Sequence, residues 1–197
     1  TTTYNTRQKP SQNCEFNNNA FIKCTSSEWG GALYCSGSFH VTIQRCRFML
    51  CYSSGDCGAM YIVNCPYDLN TSIFVQCWTV QVNNNQGGNA FASVGSENDI
   101  RDITITLCSP YKDIAGDTAY SIHNALVKMT RNNFSDCYDY VGGVYGEFMS
   151  IAESSQSSFV IMHGGYGYCF CALWQYQFTL DCFVACDITT TFSTFWN

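Results

Sequence analysis

The stretch FIKCTSSEWGGALY, residues 21–34, returns 27 residues later as FMLCYSSGDCGAMY, residues 48–61. The two segments align without gaps. They share the phenylalanine, the first cysteine, both serines, one glycine, the alanine and the final tyrosine. A repeat of this length predicts an architecture of stacked, similar units, each of which buries its apolar face against the next.

A Phe-x-x-Cys step, once with isoleucine in place of phenylalanine, marks the repeat along most of the chain. Its cysteines are separated by 27, 26, 31, 29 and 49 residues, and the last interval is close to two periods. The intervening unit, residues 159–165, is degenerate, with Val160 and His163 at this spacing. Because cysteine is small and commonly buried, these residues are interpreted as an inward-facing structural ladder: Cys24, Cys51, Cys77, Cys108, Cys137 and Cys186.

The apolar residues within each unit recur mainly at every second position, as in residues 39–43 and 103–107. That spacing is typical of strands, and the Ser-Ser, Gly-Gly and Asn-Asn pairs between them are turn formers. Stacked coils let backbone groups pair at about 4.8 Å. The sequence therefore predicts an all-β fold, a β-solenoid (parallel β-helix) of about seven coils with three short strands per coil. In the first coil, the strands are predicted at residues 21–24, 32–35 and 39–43.

The organisation along the chain is simple. Residues 1–12 form a polar lead-in, and residues 13–197 are expected to form a single β-helix domain. Because there is no initiator methionine, signal peptide or obvious polar cap, we expect a fragment of a longer chain. The net charge of −6, with nine Lys and Arg, lacks the basic footprint of nucleic-acid binding, and no apolar run has the length of a transmembrane segment.

The chain has 14 cysteines, for which two interpretations remain. The ladder cysteines are expected to be free, buried thiols. Cysteines off the ladder could form disulfides if the protein is secreted, although their pairing cannot be deduced. The nearest metal-like cluster, Cys169 and Cys171 with His163, lacks a fourth ligand, so we expect no metal and no cofactor. Examples of off-ladder cysteines are Cys35, Cys57, Cys65, Cys169 and Cys182.

Two N-glycosylation sequons occur, at Asn70 and at Asn133. Asn133 directly precedes the predicted core residue Phe134, which bears on its access to solvent. The sequons give weak support to a secreted glycoprotein.

The GGAL segment at 30–33, CGAM at 57–60 and GGV at 142–144 resemble the Gly-Gly-Ala-Ile motif of polymorphic outer-membrane-protein repeats. In that family the partner motif is Phe-x-x-Asn, whereas cysteine stands at the matching positions here, as in cysteine-rich surface proteins of protozoa. The resemblance spans roughly residues 14–190. It implies a right-handed parallel β-helix of the pectin-lyase-like superfamily, exposed at the cell surface and often adhesive, and it transfers no catalytic residue.

The same fold hosts enzymes that act on polysaccharides, so catalysis was weighed. Glycoside hydrolysis needs two carboxylates that face one groove. The acidic pairs are interpreted as solvated turn residues, and His40, His123 and His163 have no nucleophile partner in a known motif. We therefore expect no catalytic residue. The acidic pairs are Asp136 with Asp139, Asp99 with Asp102, and Asp113 with Asp117.

A binding function has more support from the pattern. If the ladder cysteines point inward, the residues that follow them point outward. Tyr52 and Trp78 would then lie about 5 Å apart on successive coils, where they could contact sugar rings or a protein. With Tyr138 they are the candidate contacts. No threonine column persists, which argues against an ice-binding face. The full set of outward positions is Thr25, Tyr52, Trp78, Ser109, Tyr138 and Asp187.

The leading hypothesis is a non-enzymatic structural or adhesive module, extracellular or at the cell surface. It would present a rigid face to a glycan or protein partner and could assemble end to end. A carbohydrate-active enzyme, similar to polysaccharide lyases or hydrolases, is the first alternative. An intracellular filament or scaffold component, in which many free cysteines are unremarkable, is the second.

Overall fold

A computed structural model describes the backbone of residues 1–79, 88–95, 97–108, 118–123, 126–139, 144–147, 150–155, 158–164, 170–171, 190–191 and 194–196. It describes side chains for residues 1–79, 90–95, 97–108 and 131–132. Within these ranges the chain forms short strands and no helix, so this part of the molecule holds no helix that could cross a membrane. The fold is an all-β parallel solenoid.

The strands of the first part of the chain are β1 (Thr3–Tyr4), β2 (Cys14–Asn17), β3 (Ala20–Ile22), β4 (Thr25–Ser26), β5 (Leu33–Ser36), β6 (Val41–Gln44), β7 (Arg47–Met49), β8 (Tyr52–Ser53), β9 (Met60–Val63), β10 (Tyr67–Asn70), β11 (Ile73–Val75), β12 (Trp78–Thr79) and β13 (Gly88–Val94). Those that follow are β14 (Glu97–Arg101), β15 (Thr104–Thr106), β16 (Thr118–His123), β17 (Leu126–Thr130), β18 (Asn133–Asp139), β19 (Val144–Glu147), β20 (Ser150–Ser155), β21 (Ser158–Gly164), β22 (Phe170–Cys171), β23 (Thr190–Thr191) and β24 (Thr194–Trp196).

The strands stack into four parallel sheets, and a complete turn contributes one strand to each sheet. The three turns β2–β5, β6–β9 and β10–β13 contain all four. Two predictions are therefore corrected. A complete turn has four short strands rather than three, and the structure supports about three turns rather than about seven. The sheet orders are β1-β3-β7-β11-β15-β18-β21-β24, β2-β6-β10-β14-β17-β20-β23, β4-β8-β12 and β5-β9-β13-β16-β19-β22.

The additional strand arises where the chain bends just before each ladder cysteine. The predicted strand 21–24 divides into β3 and β4 because Lys23 has a φ of 55°. This left-handed conformation ends the extended run. The residues that precede the next three ladder cysteines, Leu50, Gln76 and Leu107, also have φ values of 50–56°.

The two glycines of the repeat have different roles. Gly30 has a φ of 64°, and Cys57 holds the matching position with a φ of 63°. Gly58 is needed for a different reason, since a Cβ there would lie 2.3 Å from the backbone nitrogen of Trp78. The expected corner thus combines one left-handed residue with one close approach between turns.

The interior contains a continuous stack of aromatic rings. Phe21, Phe48 and Phe74 pair in register across β3, β7 and β11 and are fully buried. Their ring centroids are 4.7 and 4.6 Å apart, and the planes are parallel within 3°. Tyr4 of the predicted lead-in extends the stack, since its ring lies 4.9 Å from that of Phe21 and β1 pairs with β3.

The later turns continue the phenylalanine register, but the residue paired with the ladder cysteine lies one position earlier than the repeat spacing predicts. Phe134 pairs with Phe159, and Cys137 pairs with Met162 rather than with His163. Phe159 in turn pairs with Phe195 of β24. Phe183 and Cys186, predicted as the next step of the repeat, lie outside the described residues.

Candidate aromatic binding faces

The positions that follow the first three ladder cysteines lie side by side on the three-stranded sheet β4-β8-β12. Thr25, Tyr52 and Trp78 are paired in register. The rings of Tyr52 and Trp78 are 5.4 Å apart and tilted by 46°, and both side chains are half-buried. The structure thus brings two of the three candidate contacts together on one face. Tyr138 belongs to β18, in the sheet that contains β15, and its side chain lies outside the described set, as do residues Ser109 and Asp187.

Backbone and side-chain hydrogen bonds hold this aromatic pair in place. The amides of Tyr52 and Trp78 donate to the carbonyls of Cys24 and Cys51 at 2.9 and 3.1 Å. The following residues, Ser53 and Thr79, are buried and donate their hydroxyls to carbonyls of the preceding turn. The ring positions are therefore set by the turns rather than by a free loop.

A second aromatic cluster lies on sheet β5-β9-β13. Its residues do not follow ladder cysteines, so they were not among the predicted outward positions. We name Trp29, Tyr34 and Tyr61 the aromatic platform. Tyr34 and Tyr61 are in register on β5 and β9, with ring centroids 6.2 Å apart and planes within 6°. Trp29 stacks on both, at 6.1 and 5.6 Å, and remains 47% exposed. The recurrence of Tyr34 at position 61 was a usable signal for the tyrosines, but nothing in the repeat predicts the contact of Trp29, whose aligned residue is Asp56.

The structure also forms a groove of about 310 Å³ beside sheet β2-β6-β10-β14. Asp68 and Asp99 occupy paired positions on β10 and β14 and both line it. His40 lies at the same groove with its Nε2 3.4 Å from the Asp68 carboxylate. The remaining lining residues are Pro66, Tyr67, Glu97 and Asn98.

The acidic pairs weighed for catalysis do not act as pairs where their side chains are described. Asp99 binds Arg101 of its own strand, whereas Asp102 makes two 2.6 Å hydrogen bonds to Arg131 of the next turn. The hydrogen bonds from Arg131 lower the pKa of Asp102. Asp136 and Asp139 both lie in strand β18. Asp113 and Asp117 lie outside the described residues, and the side chains of His123 and His163 are not described.

The described ladder cysteines are fully buried and face backbone carbonyls. The Sγ atoms of Cys51 and Cys77 lie 3.4 and 3.5 Å from the carbonyl oxygens of Phe21 and Phe48 in the preceding turn. The S–H group therefore donates weakly to the backbone of the preceding turn. The buried ladder set is Cys24, Cys51, Cys77 and Cys108, whereas the side chain of Cys137 is not described.

The nine cysteines with described side chains form no disulfide, including the off-ladder residues Cys35, Cys57 and Cys65. Burial raises the pKa of Cys35 and Cys77, and it raises that of Cys65 to about 11. Cys169 and Cys182 lie outside the described residues, and the side chains of His163 and Cys171 are not described, so the structure gives no geometry for the metal-like cluster.

The described sequon differs from an open surface site. Asn70 is half-buried at the end of β10, and Ser72 is fully buried. The Ser72 hydroxyl donates to the Asn70 carbonyl and accepts from the amide of Cys46. Asn133 lies in β18, and its side chain is not described. Glycosylation of either asparagine stays a prediction.

Comparison with known proteins found no matching family model, no similar curated protein and no similar solved structure.

Proposed function

We propose that this chain is a non-enzymatic structural or adhesive surface module. It presents a rigid face to a glycan or protein partner outside the cell, and it is a right-handed β-helix of the cysteine-rich, outer-membrane-protein-like repeat type. The right hand follows from the rule that parallel strands of one sheet are connected right-handedly in about 98% of cases. Stacked parallel turns also suit end-to-end assembly, since an uncovered strand edge can pair with a further coil.

One observation carries the binding proposal, namely the Tyr52–Trp78 pair. Two aromatic side chains on neighbouring turns form a half-exposed surface, and the backbone amide of each donates a hydrogen bond to the preceding turn. Because their positions are preorganised, little conformational entropy is lost when a partner binds. Aromatic residues of this kind dominate binding energies at protein and ligand interfaces.

The test applies labelled protein to an array that carries both glycans and purified extracellular-matrix proteins. We expect Trp78→Ala and Tyr52→Ala to weaken binding to the recognised ligand about tenfold or more, as for a residue at the centre of an interface. Met49→Ala is the matched control, because Met49 is an exposed apolar side chain on a different sheet. Equal binding by wild type and Trp78→Ala would overturn the proposal.

A carbohydrate-active enzyme is a second candidate, favoured by the groove beside Asp68 and Asp99. Paired positions on adjacent parallel strands are about 4.8 Å apart. Retaining glycosidases place two carboxyl groups about 5–5.5 Å apart. Release of reducing ends from a polysaccharide panel, abolished by Asp68→Asn but not by Asp102→Asn, would establish this function in place of the first.

The lack of disulfides among the nine described cysteines favours a third candidate, an intracellular filament or scaffold component, because disulfides are rare where thiols are kept reduced. Thiols are counted in the protein isolated from its source, under denaturing conditions without reductant. A near-complete count of free thiols supports the scaffold, whereas a count well below 14 supports the secreted module.

A further inference from the structure

We propose that the aromatic platform of Trp29, Tyr34 and Tyr61 is a second binding site, which stacks on the face of a neutral pyranose ring. The inference rests on the proposed function in that both describe a surface-binding module, but it concerns a different sheet and commits to one ligand class. The key feature is the exposure of Trp29, the highest among the large apolar side chains described.

The platform is rigid because Arg7 holds the segment that carries Trp29. Arg7 Nη1 donates to the Ser26 hydroxyl at 2.6 Å and to the Trp29 carbonyl at 2.7 Å, and its Nη2 bonds Glu28 at 2.5 Å. The Arg7 side chain is only 12% exposed. From the next turn, Ser53 donates its hydroxyl to the Glu28 carbonyl. An indole fixed in this way loses little rotamer entropy on binding.

The tyrosines support the indole from one side. Trp29 lies within 25° of the plane of Tyr34 and within 21° of that of Tyr61. Tyr61 is only 6% exposed, so the tyrosines back the indole and the accessible flat surface is chiefly that of Trp29. A flat aromatic surface fits the C–H face of a sugar ring. The negative π-face of the indole attracts the weakly positive C–H groups of the sugar.

The rim of the platform carries one donor and one acceptor, which matches the hydroxyls of a sugar. Lys9 Nζ lies 3.0 Å from Glu28 and 5.7 Å from the ring centroid of Tyr34. Lys9 is 52% exposed and Glu28 63% exposed. The hydrogen bond from Arg7 lowers the pKa of Glu28, so this carboxylate only accepts at neutral pH, whereas Lys9 only donates. Hydroxyl groups can pair with both.

Charge and size favour a neutral sugar over the other ligand classes. Lys9 is already paired with Glu28, and the chain carries a net charge of −6, which repels acidic polysaccharides. A stable protein partner would cover about 800 Å² on each side. The three stacked rings expose a much smaller area than that, because they cover one another's faces.

The experiment uses protein labelled with 5-fluorotryptophan, which gives one ¹⁹F signal for each of the four tryptophans. Trp29→Phe and Trp78→Phe assign the two relevant signals. Neutral tetrasaccharides of glucose, mannose, galactose and N-acetylglucosamine are titrated, with tetragalacturonate as the acidic comparison. We expect a neutral saccharide to shift the Trp29 signal. In calorimetry, Trp29→Ala should weaken the binding of that saccharide at least tenfold and Trp29→Phe only a few-fold. Trp78→Ala should weaken its binding less than twofold.

The same spectrum separates the two proposals. A shift confined to Trp78 overturns the platform inference and leaves the proposed function standing, whereas a shift confined to Trp29 supports the platform alone. Binding of tetragalacturonate in preference to every neutral saccharide overturns the neutral-sugar assignment. No response to any saccharide also overturns it, while the protein arm of the array still tests the Tyr52–Trp78 face.

Discussion

At the residue scale, the left-handed corners show how the turns tolerate unfavourable backbone angles. Lys23, Leu50 and Gln76 all have φ values near 50–56°, which cost about 1–2 kcal/mol for a residue other than glycine. Each corner amide donates to a carbonyl of the next turn, at 2.9, 3.0 and 3.2 Å respectively. The stacking hydrogen bonds therefore offset the local strain, and no glycine is required there.

Replacing a corner residue by glycine should stabilise the fold. Lys23 is exposed, so Lys23→Gly removes the φ penalty without removing core contacts. After the entropy cost of glycine in the unfolded chain, we expect the free energy of unfolding to rise by about 0.5–1 kcal/mol. Urea denaturation measures it.

The matched control is Thr25→Gly, two positions later in strand β4. Thr25 is exposed and has ordinary extended geometry, so glycine there should lower the free energy of unfolding by about 0.5–1 kcal/mol. A decrease of the same size for both variants would show that the corner at Lys23 carries no relievable strain.

At the scale of the element, the phenylalanine stack forms a continuous apolar contact between turns. Phe48 lies between Phe21 and Phe74 and touches a ring on each side. The thiol of Cys51 lies beside this stack and points at the Phe21 carbonyl. Turns of different length thus present the same phenylalanine and cysteine positions to the neighbouring turns. These matching side chains keep the turns in register.

Truncation at the centre of this stack should be severe. We expect Phe48→Ala to lower the free energy of unfolding by about 3–5 kcal/mol, because it leaves a cavity between two fixed rings. Phe39, which is half-buried at the edge of the core, provides the comparison. Phe39→Ala should cost clearly less, and equal losses in denaturant titrations would contradict a central role for the stack.

At the scale of the whole molecule, the free thiols make stability depend on alkaline pH. Burial raises the pKa of Cys65 from 9.0 to about 11, and it raises that of Cys35 as well. A thiol that stays protonated in the folded state contributes stability below the unfolded pKa. This contribution is lost as pH rises through the folded value.

The thermal midpoint in the presence of reductant should therefore fall as the pH rises from 9 towards 11. Cys65→Ala should show a shallower decline over the same interval, because it removes one of the shifted groups. The measurement is a series of circular-dichroism melts on both proteins. Identical slopes for the two proteins would indicate that the Cys65 thiol titrates alike in the folded and unfolded states.

Much of the interior could be predicted from the sequence. The Phe-x-x-Cys spacing indicated parallel stacking, and Phe21, Phe48 and Phe74 do lie in register in the core. The adjacency of Tyr52 and Trp78 followed from the same spacing. These features were accessible because like side chains at one period must lie above one another when turns stack.

The sequence by itself therefore determined the all-β, coiled character of this protein and the column of residues that fills it. The tertiary structure decided the number of strands in a turn, because left-handed angles at Lys23 and its equivalents depend on hydrogen bonds from the adjacent turn. It also decided the aromatic platform. Trp29 meets Tyr61 because Arg7, Ser26 and Ser53 hold the loop that carries Trp29. The Ser53 contact recurs one turn later between Thr79 and Gly55, but the contacts of Arg7 do not follow the repeat.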